Sequence, residues 1–275
     1  MLVRIITSLV ALCVLIPVLF LSNTWVLPIA VAIACAIATG EALNCIGSLK
    51  KPIVSILFIL SAAFAPFAVR LTAALGEYCL IMIGLVLAIV LYLMAVLVFS
   101  KGRLEISEIA VSAFMAFYVS VGFSSIVMLH DFFESGKYTY LLVFVGAWVT
   151  DIFAYFCGRF WGKHKLIPEV SPKKTVEGSI GGTLFAGVSF VLFGYIANSL
   201  GYIIDTGYVQ LFVFGLIAAL VAQVGDLCMS ALKRYYGIKD FGKIFPGHGG
   251  MLDRFDSIIA VATVLLILNT IVSNF

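Results

Sequence analysis

The chain has 275 residues, 63% of them hydrophobic and only 11% charged, with a net charge of +3 and a mean hydropathy of +1.17. A soluble domain carries about 25% charged residues, so this composition excludes a large soluble domain and points to a polytopic membrane protein. Its six cysteines (Cys13, Cys35, Cys45, Cys79, Cys157, Cys228) lie scattered in or beside apolar runs with no CxxC pair, which excludes a zinc ribbon and a disulfide framework.

The chain opens on MLVRIITSLVALCVLIPVLF, which has the look of a signal peptide. No convincing small-x-small cleavage site follows, and Asn23-Thr24-Trp25 leads straight into another apolar run, so the segment reads as a retained first helix. A hydrocarbon core of about 30 Å needs about 20 apolar residues per helix. Nine segments qualify: 5–22, 25–46, 52–69, 78–99, 106–127, 139–157, 180–198, 208–230 and 258–274. The connection at 22–24 is the tightest. With alternating spans, one side receives Arg4, Lys50, Lys51, Lys101, Arg103, Arg159, Lys163, Lys165, Lys173, Lys174 and the five bases of 231–257. The other side receives only Arg70 and Lys137. The positive-inside rule makes the first side cytoplasmic, with the N-terminus inside and Phe275, after nine spans, outside.

Two polar loops on that side are long, 158–179 and 231–257. The expected architecture is therefore all-α: a polytopic integral membrane protein with about nine transmembrane helices and a catalytic site at the cytoplasmic face. Residues 1–138 read as a scaffold or dimer surface and 139–275 as the catalytic region. His130 and His164 read as solvated loop residues, and Asp131, Glu134 and Asp205 as solvated acids on the far side.

Acids inside apolar segments are the first chemical signal. A carboxylate within a membrane helix costs about 2.5–3.5 kcal/mol on insertion scales, so it is usually paired or functional. Glu41, near the cytoplasmic end of the second segment, reads equally as a site residue or a helix-packing partner. Asp151 shares a helical face with Tyr155, Gly158 and Gly162 at i, i+4, i+7 and i+11. It reads as a nucleotide- or metal-site residue, or as a buried acid paired with Arg159 or a lysine. Asp226 shares a face with Ser230 and Lys233 at i, i+4 and i+7. It reads as a metal ligand, or as the partner of Lys233 or Arg234 in a structural salt bridge. Between them, the loop Ser171-Pro172-Lys173-Lys174-Thr175-Val176-Glu177-Gly178 offers two lysines, hydroxyls and backbone N–H groups to phosphate oxygens. Juxtamembrane lysines alone would equally serve anionic lipid headgroups.

The stretch Ser230–Asp256 carries the strongest signal. It holds five bases (Lys233, Arg234, Lys239, Lys243, Arg254), three acids (Asp240, Asp253, Asp256), His248 and five glycines. This inventory suits a polyphosphate: amines for charge, glycines for close backbone approach, carboxylates for a divalent cation. Asp226 and Asp253 would supply two carboxylates from adjacent helices. Asp256, at i+3 from Asp253, also suits a plain helix N-terminus, where an acid gains about 0.3–1 kcal/mol from the macrodipole.

Ser230, Lys233-Arg234, Lys239-Asp240, Pro246-Gly247-His248-Gly249-Gly250 and Asp253-Arg254-Phe255-Asp256 together resemble the C-terminal motif of the phosphatidate cytidylyltransferase (CDP-diacylglycerol synthase) family, without departure. Gly225-Asp226-Leu227, the Asp-x-x-Ala-Tyr-x-x-Gly run from Asp151 to Gly158, and Ser171–Gly182 are similar to further family elements. The resemblance implies CTP + phosphatidate → CDP-diacylglycerol + pyrophosphate. It implies a catalytic set of Asp226, Lys233, Arg234, Lys239, Asp240, His248, Asp253 and Arg254. Asp226 and Asp253, and with them Asp256, would hold Mg²⁺, with room for a second cation. Substrate contacts would come from Asp151, Tyr155, Ser171, Lys173, Lys174, Thr175, Glu177, Gly178, Ser230, Gly249 and Gly250. His248 is expected as a phosphate or structural contact, because phosphatidate is already an anion. The expected partners are CTP, phosphatidate from the bilayer and a second copy of the chain, with no nucleic acid, in the cell (inner or plasma) membrane.

Three other readings compete. A lipid kinase of the polyprenol-kinase type would direct a lipid alcohol at the γ-phosphorus; the complete GHGG-x-x-DR-x-D run counts against it. A transporter would use Asp151 and Asp226 as an ion path, but it should carry acids near the midplane or repeat symmetry. A CDP-alcohol phosphatidyltransferase would need an Asp-Gly-x-x-Ala-Arg element, which the chain lacks.

Overall fold

The computed structural model describes residues 2–72, 74–100, 105–133, 136–202 and 206–273. Lys101, Arg103, Glu134, Asp205, Phe275 and the side chain of Arg4, which enter the sidedness argument, lie outside the described residues. Ten helices and one small hairpin follow in order among the described residues: α1 Leu2–Phe20, α2 Val26–Ile46, α3 Pro52–Val69, α4 Leu75–Phe99, α5 Ile106–Asp131, the single turn α6 Gly136–Thr139, α7 Leu142–Phe160, β1 Lys165–Ile167, β2 Ser171–Thr175, α8 Val176–Ser199, α9 Tyr208–Tyr235 and α10 Leu252–Ser273. Eight helical stretches among the described residues are long and apolar enough to cross a membrane, with α6 and α7 counted as one, and α1 adds a shorter apolar helix over Ile6–Phe20. The all-α polytopic expectation therefore holds.

Local chemistry explains the helix ends. Gly47 stops α2 in a left-handed conformation (φ 94°), its N–H bonding back to Leu43 and Asn44. Pro52 starts α3, where its missing N–H costs nothing. The tight connection at 22–24 is closed by Arg70, whose guanidinium donates to the carbonyls of Ser22 (3.0 Å) and Thr24. Several helices outrun their apolar segments, and two of these extensions bear on the site. α9 continues to Tyr235 instead of stopping near 230, and Lys233 and Arg234 in its last turn suit the negative end of the helix dipole. α8 begins at Val176 because Thr175 caps it, its hydroxyl accepting Gly178 N–H at 3.2 Å.

The chain divides into two compact units that do not follow sequence order. The first comprises Met1–Met128 with Ile238–Arg254, so most of the glycine-rich motif belongs with the N-terminal helices. Its core is built from Leu43, Val54, Phe58, Leu93, Ile109 and Ala116. Glu108 is held by Lys51 and by the Ser48 hydroxyl at 3.0 Å, so this acid is paired rather than stranded. Only 6% of the apolar window of α4 is buried, against 61% for α5, which leaves α4 facing its surroundings.

The second unit comprises Leu129–Gly237 with Phe255–Phe275. Small residues let its helices approach closely. A Cβ at Gly182 would lie 2.7 Å from Thr150 O, and one at Gly215 only 2.7 Å from Gly187 Cα. The α7–α8 and α8–α9 crossings are therefore backbone-to-backbone. The expectation for His130 needs correction. His130 is buried near the end of α5, its Nδ1 2.6 Å from Asp131 Oδ1 and its ring edge-on to Tyr140. Neither it nor Asp131 is a solvated loop residue.

Candidate active site

In the second unit, α9 carries Asp226, Ser230 and Lys233 along one face. Asp226 is partly buried and ion-paired with Lys174 of β2. Asp256, in the first turn of α10, is buried, and its Oδ1 accepts Ser257 N–H at 2.8 Å. Its carboxyl lies within electrostatic range of Asp226, Asp151 and Lys233. The field at Asp256 thus comes from residues of two other helices, far apart in sequence, and Asp226 carries Lys174 with it.

A glycine seat positions Lys174. Built onto the backbone, a Cβ at Gly158, Gly162 or Gly178 would come 2.7–2.9 Å from the Thr175 hydroxyl. These glycines leave a socket for Thr175, which ends β2 beside Lys174. Glu177 secures the other side of the hairpin, accepting from the His164 N–H (3.2 Å) with its Oε1 2.7 Å from His164 Nδ1. His164 is an exposed loop residue, as expected, and is engaged by Glu177. Thr175 and Gly178 are buried against each other, so they build the hairpin's base, whereas Lys173 stands exposed. Tyr155 accepts from Arg159 at 2.9 Å, so Arg159 is engaged along its own helix.

In the first unit, the glycine-rich motif forms a tight loop before α10. Phe245 and Gly249 exchange backbone hydrogen bonds at 2.9 and 3.1 Å, and His248 N–H donates to Phe245 O at 2.8 Å. Gly247 (φ 80°) and Gly249 (φ 92°) supply the left-handed conformations this turn requires. Asp253 is buried, and its Oδ2 accepts both Phe241 N–H (2.7 Å) and Gly250 N–H (2.9 Å). The Nδ1 of His248 is buried with no hydrogen-bond partner among the described residues, while its Nε2 lies 3.5 Å from Ser8 Oγ. Lys239, Asp240 and Arg254 are exposed.

The residue that sequence reasoning left undecided is the most firmly placed. Glu41 of α2 accepts Met251 N–H at 3.0 Å and Leu252 N–H at 2.9 Å, capping α10 from a position more than 200 residues earlier in the chain. The available signal was an acid near the end of an apolar helix. Its partner, being backbone, leaves no trace in side-chain pattern.

Among the described residues no group of three or more His, Cys, Asp or Glu side chains is drawn together as a ready-made metal cage. Mg²⁺ does not require one. It usually takes one or two carboxylates and completes its octahedron with water and substrate phosphates. The hard oxygen donors Asp226 and Asp256, within electrostatic range of each other, fit that pattern.

The cytidylyltransferase family model matches residues 2–272. The chain is 34% identical over 267 residues to the phosphatidate cytidylyltransferase of Staphylococcus haemolyticus, covering 97% of this chain and 98% of that protein. It is 36% identical over 269 residues to the Staphylococcus aureus protein of the same name, with the same coverage. It is 38% identical to the Bacillus subtilis phosphatidate cytidylyltransferase over 179 residues, 65% of each chain.

Proposed function

We propose that this chain, which belongs to the cytidylyltransferase family, acts as a phosphatidate cytidylyltransferase: CTP + phosphatidate → CDP-diacylglycerol + pyrophosphate. The observation that carries this reading, beside the kinship, is the Asp226–Lys174 ion pair with Asp256 buried within electrostatic range of Asp226, Lys233 and Asp151. A phosphate oxygen of phosphatidate attacks the α-phosphorus of CTP, a new P–O bond forms, and the α–β bridging bond breaks to release pyrophosphate. Such transfers depend on positioning and charge neutralisation.

Asp226, Asp253 and Asp256 are the proposed Mg²⁺ carboxylates. When bound, the ion supplies charge neutralisation across the phosphates. Asp253 is oriented for this by the two N–H groups on its Oδ2, the kind of support that keeps ligands in place. Lys174, ion-paired with Asp226, is ready to exchange its carboxylate partner for a phosphate oxygen, and Lys233 lies within electrostatic range of Asp256. Lys173, Lys239, Arg234 and Arg254 are exposed and supply further positive charge to an arriving triphosphate. His248 offers its buried, unpartnered Nδ1 as a contact. The lipid enters laterally from the bilayer and CTP from the cytoplasm.

Two measurements test this reading. Purified protein in mixed micelles should release pyrophosphate only when CTP, phosphatidate and Mg²⁺ are all present; release that ignores phosphatidate would overturn the assignment. Reporter fusions at residues 50, 170 and 240 should all read cytoplasmic. If 170 and 240 reported opposite sides, Lys174 and the glycine-rich loop could not serve one site.

A further inference from the structure

We propose that Glu41 is a positioning residue for the reaction, fixing the glycine-rich loop and, through it, Asp253. The proposal rests on the phosphatidate cytidylyltransferase reading for what the loop does, but not for how the loop is held.

The first N–H groups of a helix have no intrahelical partner and are usually satisfied by a nearby side chain. At α10 both oxygens of a carboxyl from α2 do this work, one on Met251 N–H and one on Leu252 N–H. Glu41 is itself buried at 9% exposure, and a buried acid is costly unless it is hydrogen-bonded. The helix N-terminus supplies donors and a favourable dipole together.

The glycines around it point the same way. A Cβ added at Gly242 or Gly250 would run into the Glu41 carboxyl. Two glycines of the motif are therefore needed to admit this side chain, apart from any contact with substrate. The restraint then passes along the backbone. Gly250, next to the Met251 that Glu41 holds, donates its own N–H to Asp253 Oδ2. Phe241, next to Gly242, donates to the same oxygen. Glu41 thus braces both segments that aim Asp253. It touches no reacting group, and its effect on chemistry runs through the loop.

Glu41→Gln keeps the length of the side chain but sets an amide N–H₂ against one of the two backbone donors, whereas Glu41→Ala removes both acceptors and opens space beside Gly250. In the full-length protein in detergent, Glu41→Gln should raise hydrogen exchange of the Met251 and Leu252 amides at least 10-fold and leave the rest of α10 unchanged. Its kcat should fall at least 10-fold while the melting temperature stays close to wild type. Gly250→Ala should be severely damaging alone, yet add less than 2-fold to the loss already caused by Glu41→Ala, because the clash has been removed. Three results would overturn the proposal: unchanged exchange at 251–252, a kcat loss that only follows the folded fraction, or a full Gly250→Ala penalty in the Glu41→Ala background. If the wild type itself fails to turn over CTP and phosphatidate, the functional reading falls. The exchange measurement and the dependence of the Gly250→Ala melting penalty on Glu41 still decide the role of Glu41.

Discussion

Asp226→Asn is expected to lower kcat by at least about 10²-fold, the scale of losing one preorganised electrostatic contact at a reacting centre, while the protein stays folded in detergent. Asp226 reaches its position on an α9 that continues to Tyr235, and it meets Lys174 there. Replacing its carboxylate by an amide removes the negative charge of a proposed metal donor and the counter-charge of Lys174 together. The Mg²⁺ concentration for half-maximal activity should rise as well. Asp256→Asn should fall in the same class. A capping acid alone would be worth about 0.3–1 kcal/mol, but Asp256 is buried beside Asp226, Asp151 and Lys233. Asp253→Asn should be equally severe, since it weakens the hold on Phe241 and Gly250 as well as the proposed ligand. Wild-type turnover in any of the three would remove that residue from the site. EDTA should silence the wild type and Mg²⁺ restore it.

The two adjacent lysines should separate. Lys174→Ala is expected to cut kcat at least about 10-fold, and Lys173→Ala to raise an apparent KM a few-fold with little change in kcat. Lys173 is exposed on the hairpin, while Lys174 is partly buried on Asp226. An exposed, flexible lysine attracts phosphate charge equally in ground and transition states, which lowers KM without raising kcat. A lysine fixed on Asp226 balances charge where it redistributes during transfer. Without Lys174, Asp226 and Asp256 repel one another with one cation fewer. Steady-state kinetics with each substrate varied in turn would decide this, and indistinguishable profiles for the two variants would contradict it.

How much of this was legible in the sequence varies with the range of the interaction concerned. The span 52–69 is α3 to the residue, because Pro52 marks its start and apolar length fixes the rest. The face shared by Asp226, Ser230 and Lys233 follows from helical period alone. Motif spacing pointed to the loop around His248 and to Asp253. What spacing could not supply is partnership across the fold. The alternatives weighed for Asp226 were Lys233 and Arg234, both nearby in sequence, whereas its ion pair is with Lys174, in a hairpin that only the Gly158–Gly162–Thr175 seat brings within reach. Asp256 read as a cap or a ligand with equal force, since only its neighbours, not its spacing, place it beside Asp226. Glu41 is the extreme case. The N-terminal helices read as a scaffold or dimer surface, yet α2 carries the side chain that caps α10. His130 looked like a loop residue because the apolar run ends near 127, but α5 continues through it to Asp131.

The central claim is that the chain joins the α-phosphorus of CTP to a phosphate on a lipid. Its most direct test uses two samples of CTP, one labelled at the α-phosphate and one at the γ-phosphate, given to the purified protein with phosphatidate and Mg²⁺. The expected result is α-label in the organic phase as CDP-diacylglycerol and γ-label in the aqueous phase as pyrophosphate, both only when phosphatidate is present. Transfer of γ-label into lipid would mark a kinase and contradict the claim.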